Sequence, residues 1–375
     1  MSEKTTILYV ITSTNVGGTE RALFELIKRI DRSRFNIHVC SLKKPGGFAD
    51  RIKHSADGFY SLNLSESGGI TALFNFPVAL LSLMRLIHQI KPDIIHSFLF
   101  RANILARLAG NAAKVKNIIC AVRVIEAGHP FKHLVDRLTS SQVKVYTAVS
   151  EAARDFTIKT LKLSPEKITT IQNGIDINTV CNSSPGDFTA DGYKINIGLV
   201  GRLDKQKGHV ILLKALKLLI SEHQNLQIYF FGEGPEKQTL KTLVQKEQLN
   251  AYVLFMEPVE DIYSCISQMD MIVIPSLWEG LPNILLEAMA LERPIIASRI
   301  DGITEVVKDK EEALLFEPGN EKQLAAATQT LIHDRALAQN IASKAKARVA
   351  GDFTMDSCVQ KTEALYDRML LDSKL

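Results

Sequence analysis

Met271-Ile272-Val273-Ile274-Pro275-Ser276-Leu277-Trp278-Glu279-Gly280-Leu281-Pro282-Asn283-Ile284-Leu285-Leu286-Glu287 is the stretch from which the rest of the chain can be read. Met271 to Ile274 is a short unbroken apolar run, the pattern of a parallel strand buried on both faces. Beyond the loop, Ile284, Leu285, Ala288, Met289 and Leu291 recur at helical spacing until Arg293-Pro294 stops them. Pro282 fits the first turn of that helix, where its missing N–H has no intrahelical partner to lose. The stretch therefore predicts strand, loop and helix N-terminus, framed by two carboxylates. Helix N-termini present free N–H groups and partial positive charge, which suits phosphate. Carboxylates repel phosphate but accept from hydroxyls, so the matching ligand carries hydroxyls on both sides of a phosphate bridge, as a sugar nucleotide does. Taken alone, Glu279 is equally a partner of the helix dipole and Glu287 a solvated residue.

Outward from this stretch the chain alternates strands and helices. Thr6 to Ile11 reads as a first strand, and Ala22, Leu23, Leu26, Ile27 and Ile30 form one apolar stripe of a following helix. Ile37 to Leu42 completes a βαβ unit. A helix over 77–90 ends at Lys91-Pro92, and strands follow at 93–97, 115–122 and 143–149, with a helix over 101–109. This alternation is that of a doubly wound parallel sheet. Residues 173–192 are rich in turn formers and poor in apolar residues, so a linker is placed there. A second alternating series has strands near 195–200, 227–231, 252–256, 271–275 and 294–297.

A length of 375 residues with 46% hydrophobic content fits two domains with sizeable cores. Five scattered Cys without a CxxC argue for a reducing compartment and against a disulfide framework. Met1-Ser2-Glu3-Lys4 leads directly into the first strand, and no run of 18 apolar residues exists. The expectation is a cytoplasmic protein, at most peripheral on the cytoplasmic face of the membrane. Charge is uneven. Residues 1–178 hold 24 Lys and Arg against 14 Asp and Glu, and the remainder holds 21 against 27. The basic half is expected to meet something anionic. No nucleic-acid recognition motif accompanies it, so an anionic membrane surface is the expected partner.

Further candidates lie in loops after strands. Gly17 and Gly18 let main chain approach a phosphate, although they form no GxGxxG. Arg202 and Lys207, in Gly201-Arg202-Leu203-Asp204-Lys205-Gln206-Lys207-Gly208, would sit at the carboxyl end of a strand, where open sheets bind ligands. A planar fork and a point charge suit pyrophosphate. Gly232 and Gly234 form half of a GxGxxG. His96 closes a strand and, taken alone, reads as a structural residue. His129 and His133 are four apart but lack the Glu of HExxH and enclose Pro130, so no zinc site is expected.

Glu279 and Glu287 with seven residues between them, behind a strand ending in Pro275-Ser276 and with Gly280 and Pro282 in place, resemble the signature of the retaining glycosyltransferases of family 4. Matching segments run in order from Gly17 to Glu287 and cover most of the chain. The resemblance implies an α/β GT-B fold, with two Rossmann-like doubly wound domains facing across a cleft. Residues 1–178 would bind the acceptor, residues 190–352 would bind the nucleotide sugar, and 353–375 would form a helix crossing back to the first domain. It implies that Arg202 and Lys207 stabilise the leaving diphosphate, that Glu279 holds sugar hydroxyls and that Glu287 holds the ribose. It places Gly17, Gly18, Gly232, Gly234, Val259, Gly280, Leu281 and Asn283 around the donor, with the segment at Val259 receiving the base through main-chain groups. His96 and Arg123 fall on the acceptor side, Arg123 standing where many relatives carry a His facing the sugar. The absence of any Asp-x-Asp removes the metal clamp of the other glycosyltransferase fold. The implied activity is metal-independent retaining transfer of a hexose or N-acetylhexosamine, from a UDP-sugar first of all, to a hydroxyl acceptor in cell-surface polysaccharide or glycolipid synthesis. Two other readings stand beside it: a sugar-nucleotide 2-epimerase on the same fold, and a nucleotide-sugar-binding protein without turnover.

Overall fold

The computed structural model describes residues 4–64, 70–125, 128, 130–182, 188–257, 259 and 261–372, with the main chain alone for 70–75. The chain divides into two units, Met1–Asn173 with Met355–Leu375, and Gly174–Thr354.

In the first unit the strands are β1 (Thr5–Ile11), β2 (Phe35–Lys43), β3 (Gly58–Leu64), β4 (Ile94–Phe98), β5 (Asn117–Val122), β6 (Val145–Ala148) and β7 (Ile168–Thr170). They alternate with α1 (Gly18–Arg29), α2 (Ala49–Ser55), α3 (Ile70–Ile90), α4 (Phe100–Ala112), α5 (Pro130–Thr139) and α6 (Glu151–Leu161). All strands pair in parallel in the order β3-β2-β1-β4-β5-β6-β7, so the chain reverses its direction of travel across the sheet between β1 and β4. The apolar faces of α1 and α2 cover one side, where Leu23, Ile27 and Ile52 meet Ile7, Tyr9 and Phe35. On the other side α3 and α4 bury Leu83, Ile87, Leu105 and Ala109 against Leu8, Val10 and Ile95.

The second unit opens with α7 (Ile177–Cys181) and carries β8 (Ile195–Val200), α8 (His209–Leu219), β9 (Leu226–Phe231), α9 (Lys237–Lys246), β10 (Val253–Met256), α10 (Ile262–Ile266) and β11 (Met271–Ile274). There follow α11 (Asn283–Ala290), β12 (Ile295–Ser298), α12 (Asp301–Thr304), β13 (Leu314–Phe316), α13 (Glu321–His333) and α14 (Arg335–Asp352). Its parallel sheet runs β10-β9-β8-β11-β12-β13, with the reversal between β8 and β11. The last helix, α15 (Met355–Asp372), belongs to the first unit. Its Tyr366 hydroxyl lies 2.9 Å from that of Tyr9 and 2.7 Å from His96 Nδ1, and Met355, Leu365 and Met369 join the core formed by Ile7 and Phe35.

Four readings of the sequence are corrected. Residues 174–178 fall in the second unit rather than the first. The stretch 173–192 is more than a linker: Asp176 caps α7 through Thr179 N at 3.2 Å, and Val180 is buried. Phe188 packs edge-on against Tyr229 and Phe231, and Gln268 holds its carbonyl at 2.7 Å. The helix drawn over 77–90 begins at Ile70 and carries Pro77 inside it. Pro282 is the residue before α11, with extended ψ of 123°, and its carbonyl accepts the first bond from Leu285 N at 3.0 Å. β3, β7 and β13, which the apolar pattern does not announce, are all edge strands.

Candidate active site

The two loops that leave the reversal point of the second sheet are tied together through their main chains. After β8, Asp204 caps a short 3₁₀ turn over Lys205–Lys207. The turn ends at Gly208, at φ 69° and ψ 24°, where a side chain is strained. A Cβ there would also stand 1.9 Å from the carbonyl oxygen of Pro275, at the end of β11. No larger residue allows the two loops this approach. Leu277 N donates to Gln206 O at 2.8 Å, and Gln206 Nε2 donates to Trp278 O at 2.8 Å. The loop after β9 joins the same assembly. Leu203 N donates to Glu233 O at 3.0 Å, and a Cβ on Gly232, at φ 146°, would meet Gly201 O at 2.1 Å.

This scaffold brings Lys207 and Glu279 into contact. Lys207 Nζ lies 2.5 Å from Glu279 Oε1, with the side chains 19% and 7% exposed. Ser276 Oγ donates to the same oxygen at 2.9 Å, and Gln206 Nε2 reaches Oε2 at 3.3 Å. A carboxylate offers about four acceptor positions, so these three donors leave about one for a ligand. Glu279 is thus neither a mere dipole partner nor a solvated acid. Gly280 and Leu281 are buried beside it, and α11 starts at Asn283 with no side-chain cap. Glu287, in the second turn of α11, is 6% exposed. The arrangement combines a cation, a helix N-terminus and two carboxylates, which are complementary to phosphate and hydroxyl respectively.

The other predicted residues are less tightly placed. Arg202 is 69% exposed, its Nε 3.7 Å from Asp204 Oδ2. It projects from the loop that holds Lys207. Gly232 and Gly234 form the tight turn after β9, and Val259 is half-buried. His129 and Pro258 lie outside the described residues. Among the described residues no group of three or more His, Cys, Asp and Glu could hold a metal ion.

In the first unit, Gly17 stands at the N-cap of α1 and Gly18 opens it. His96 is 3% exposed, stacked on Phe98 at 4.6 Å and bonded to Tyr366, so its place in the fold is that of a packing partner of α15. Burial, aided by the charge of Arg123, lowers its pKa to about 3. Arg123 follows β5, and burial lowers its pKa to about 10 despite the nearby acids.

Three residues escaped the sequence reading. Glu20, 8% exposed, accepts from Ser13 Oγ at 2.8 Å, and burial raises its pKa. Its signal was present, an acid three residues after the N-cap glycine, the Glu position of a capping box. His209, the first residue of α8, is 2% exposed and lies edge-on to Phe230 at 4.9 Å. Burial and Lys207 together lower its pKa to about 4. Ser276 was visible only as part of a pattern, and its bond to Glu279 needs the folded loop.

Residues 16–179 match the family model for glycosyltransferase family 4, and residues 186–348 match that for glycosyl transferases group 1. The chain belongs to the family 4 glycosyltransferases. Over 98% of its own length and 98% of the other, this glycosyltransferase is 26% identical to the UDP-Gal:alpha-D-GlcNAc-diphosphoundecaprenol alpha-1,3-galactosyltransferase of Escherichia coli. It is also 26% identical to the capsular polysaccharide biosynthesis glycosyltransferase CapM of Staphylococcus aureus, over 81% of this chain and 84% of that one. Among solved structures, HepE of Anabaena, crystallised with UDP and glucose, superposes with a TM-score of 0.82 at 21% identity, covering 96% of this chain and 99% of that one. That likeness establishes the GT-B fold class. The names of the relatives are those of transferases, which disfavours the epimerase and the binding-protein readings.

Proposed function

We propose that this glycosyltransferase moves a sugar from a UDP-sugar to a hydroxyl of a saccharide or lipid-linked acceptor, with retention at the anomeric carbon and without a metal ion. The observation that carries the proposal is the contact of Lys207 with Glu279 beside the N-terminus of α11, at the reversal point of the second sheet, where open α/β sheets bind their ligands. Lys207 and Arg202 neutralise charge that develops on the leaving diphosphate, and the α11 N-terminus adds main-chain donors. Glu279 uses its remaining acceptor position on a sugar hydroxyl, and Glu287 accepts from the ribose. Glu279 is already engaged by three donors, which fits a positioning and electrostatic role better than that of a nucleophile. Proton removal from the acceptor is assigned to the leaving phosphate on the same face of the sugar. The UDP preference is supported by the UDP-galactose in the name of the Escherichia coli relative and by the UDP bound in HepE. A lipid-linked acceptor at a membrane surface is supported by the diphosphoundecaprenol in the names of the Escherichia coli and Campylobacter jejuni relatives and by the basic first half of the chain.

The test is a panel of UDP-sugars and GDP-sugars with saccharide and polyprenyl-linked acceptors, in EDTA, with the anomeric configuration of the product read by NMR. Transfer with retention in EDTA is expected. An inverted product would remove the same-face mechanism. Activity restored only by magnesium or manganese would remove the charge-neutralising role of Arg202 and Lys207.

A further inference from the structure

Helix α5 is built inside out. A surface helix ordinarily turns its apolar stripe to the core and its charges to water. In α5 no residue is fully buried, and Phe131, Leu134 and Leu138 are 77%, 52% and 72% exposed. Their spacing of three and four puts them on one face. Polar side chains hold the opposite face to the domain. Arg107, on α4 and fully buried, lies 2.8 Å from the Asp136 carboxylate through Nη2 and donates through Nη1 to Thr139 Oγ1 at 2.8 Å. His133 meets Phe156 edge-on at 5.8 Å, and the Lys132 ammonium lies over the Phe100 ring at 5.6 Å. The Arg107–Asp136 pair orients α5 with its apolar residues outward, where they gain nothing for the fold. An exposed apolar stripe held in place by an ion pair to a buried arginine marks an interaction surface.

Its surroundings identify the partner. Between residues 100 and 144, with the paired Arg107 and Asp136 and the buried Arg123 set aside, six Lys and Arg stand against one Glu. Arg101, Arg137 and Lys144 are exposed. Apolar residues with a basic rim are complementary to an anionic lipid surface, in which the apolar side chains enter the acyl boundary and the cations stay among the headgroups. A second copy of the chain fits poorly, because a two-fold contact would set two basic rims against each other. We infer that α5 is the element by which this enzyme docks on an anionic membrane, with Phe131, Leu134 and Leu138 inserted and Arg101, Arg137 and Lys144 at the headgroups. The inference rests on the proposal that the acceptor lies at a membrane surface, and it locates the contact.

The test floats the full chain with vesicles of mixed phosphatidylglycerol and phosphatidylcholine, and with phosphatidylcholine alone, at low and high salt. Wild type should float with the mixed vesicles at low salt, and leave them at high salt. The Phe131→Ser/Leu134→Ser/Leu138→Ser variant should bind at least about ten-fold more weakly. The Arg101→Gln/Arg137→Gln/Lys144→Gln variant should lose most of its preference for anionic lipid, since each basic residue near such a surface strengthens binding roughly five-fold at low salt. Both should keep the wild-type melting temperature and UDP affinity. Wild type that does not float, equal binding to both kinds of vesicle, or a serine variant that floats like wild type overturns the inference. So does a wild-type dimer, seen by sedimentation, that the serine variant dissolves. Turnover on a water-soluble acceptor, measured on the same preparations, separates the two proposals. Flotation without any transfer refutes the catalytic reading alone, and transfer without flotation refutes the docking surface alone.

Discussion

Replacing Glu279 by Gln tests the site at its centre. Gln keeps the size of the side chain and can still accept from Ser276 Oγ, now 2.9 Å from Oε1. It removes the charge 2.5 Å from Lys207 Nζ. Both partners are largely buried, so the ammonium is left in a place with little water and, among the described residues, no other ion-pair partner. Breaking a buried pair from one side costs about 3–5 kcal/mol, and the partial exposure of Lys207 reduces this to about 1–3 kcal/mol. The diphosphate of UDP then supplies the missing anion. In wild type it has to share Lys207 with Glu279, whereas in Glu279→Gln it does not. UDP affinity should therefore hold or rise, by up to about 1–2 kcal/mol or roughly 5–30-fold. The variant should melt lower than wild type without ligand and recover more of the difference with saturating UDP, because binding to the folded state adds its own stabilisation. Turnover with the full donor should fall, since the sugar hydroxyl loses its acceptor. Calorimetry with UDP, melting curves with and without it, and steady-state kinetics make up the assay. A clear fall in UDP affinity would refute the claim that Lys207 faces the diphosphate. Unchanged melting and unchanged kinetics together would reduce the contact to a surface pair.

Glu287→Ala should weaken UDP and the intact donor to the same degree, by about 1–3 kcal/mol for a lost hydrogen bond to a charged group, since both ligands carry the ribose. Calorimetry that finds the loss confined to the intact donor would reverse the direction in which the ligand lies along α11. His209 predicts an acid limb in stability: its folded pKa is lowered to about 4, so the folded state stays neutral while the unfolded chain takes up a proton below its ordinary value. Stability from this residue is complete above about pH 6.5 and declines toward the folded value, by about 2 kcal/mol at about pH 5. Urea titrations of wild type and His209→Leu across that range should show a shallower decline in the variant, and parallel declines would mean that burial does not keep the imidazole neutral.

Much of the architecture is written along the chain, because it follows from burial residue by residue. Strands buried on both faces, such as Ile272 to Ile274, must be continuously apolar, and helices on a sheet must carry a stripe such as Leu23, Leu26 and Ile27. Both alternating series and the strand-loop-helix at Met271 to Glu287 could be read from that alone. Three of the four edge strands could not. β3, β7 and β13 pair on one side only, and all seven residues of β3 keep some exposure, so they need no unbroken apolar run. The orientation of α5 was equally hidden, because Phe131, Leu134 and Leu138 have the spacing of a core stripe and the contacts of the opposite face, the Arg107–Asp136 pair among them, reverse it. His96 gave no hint of Tyr366, 270 residues later, until α15 closed over it. The site itself belongs to this second class. Lys207 and Glu279 are 72 residues apart, and no periodicity joins them. They meet because β8 and β11 are neighbours in the sheet and because Gly208, without a side chain, lets the carbonyl of Pro275 come close. Local pattern decided which segments become strands and helices. Strand order and one glycine contact decided which side chains share a charge.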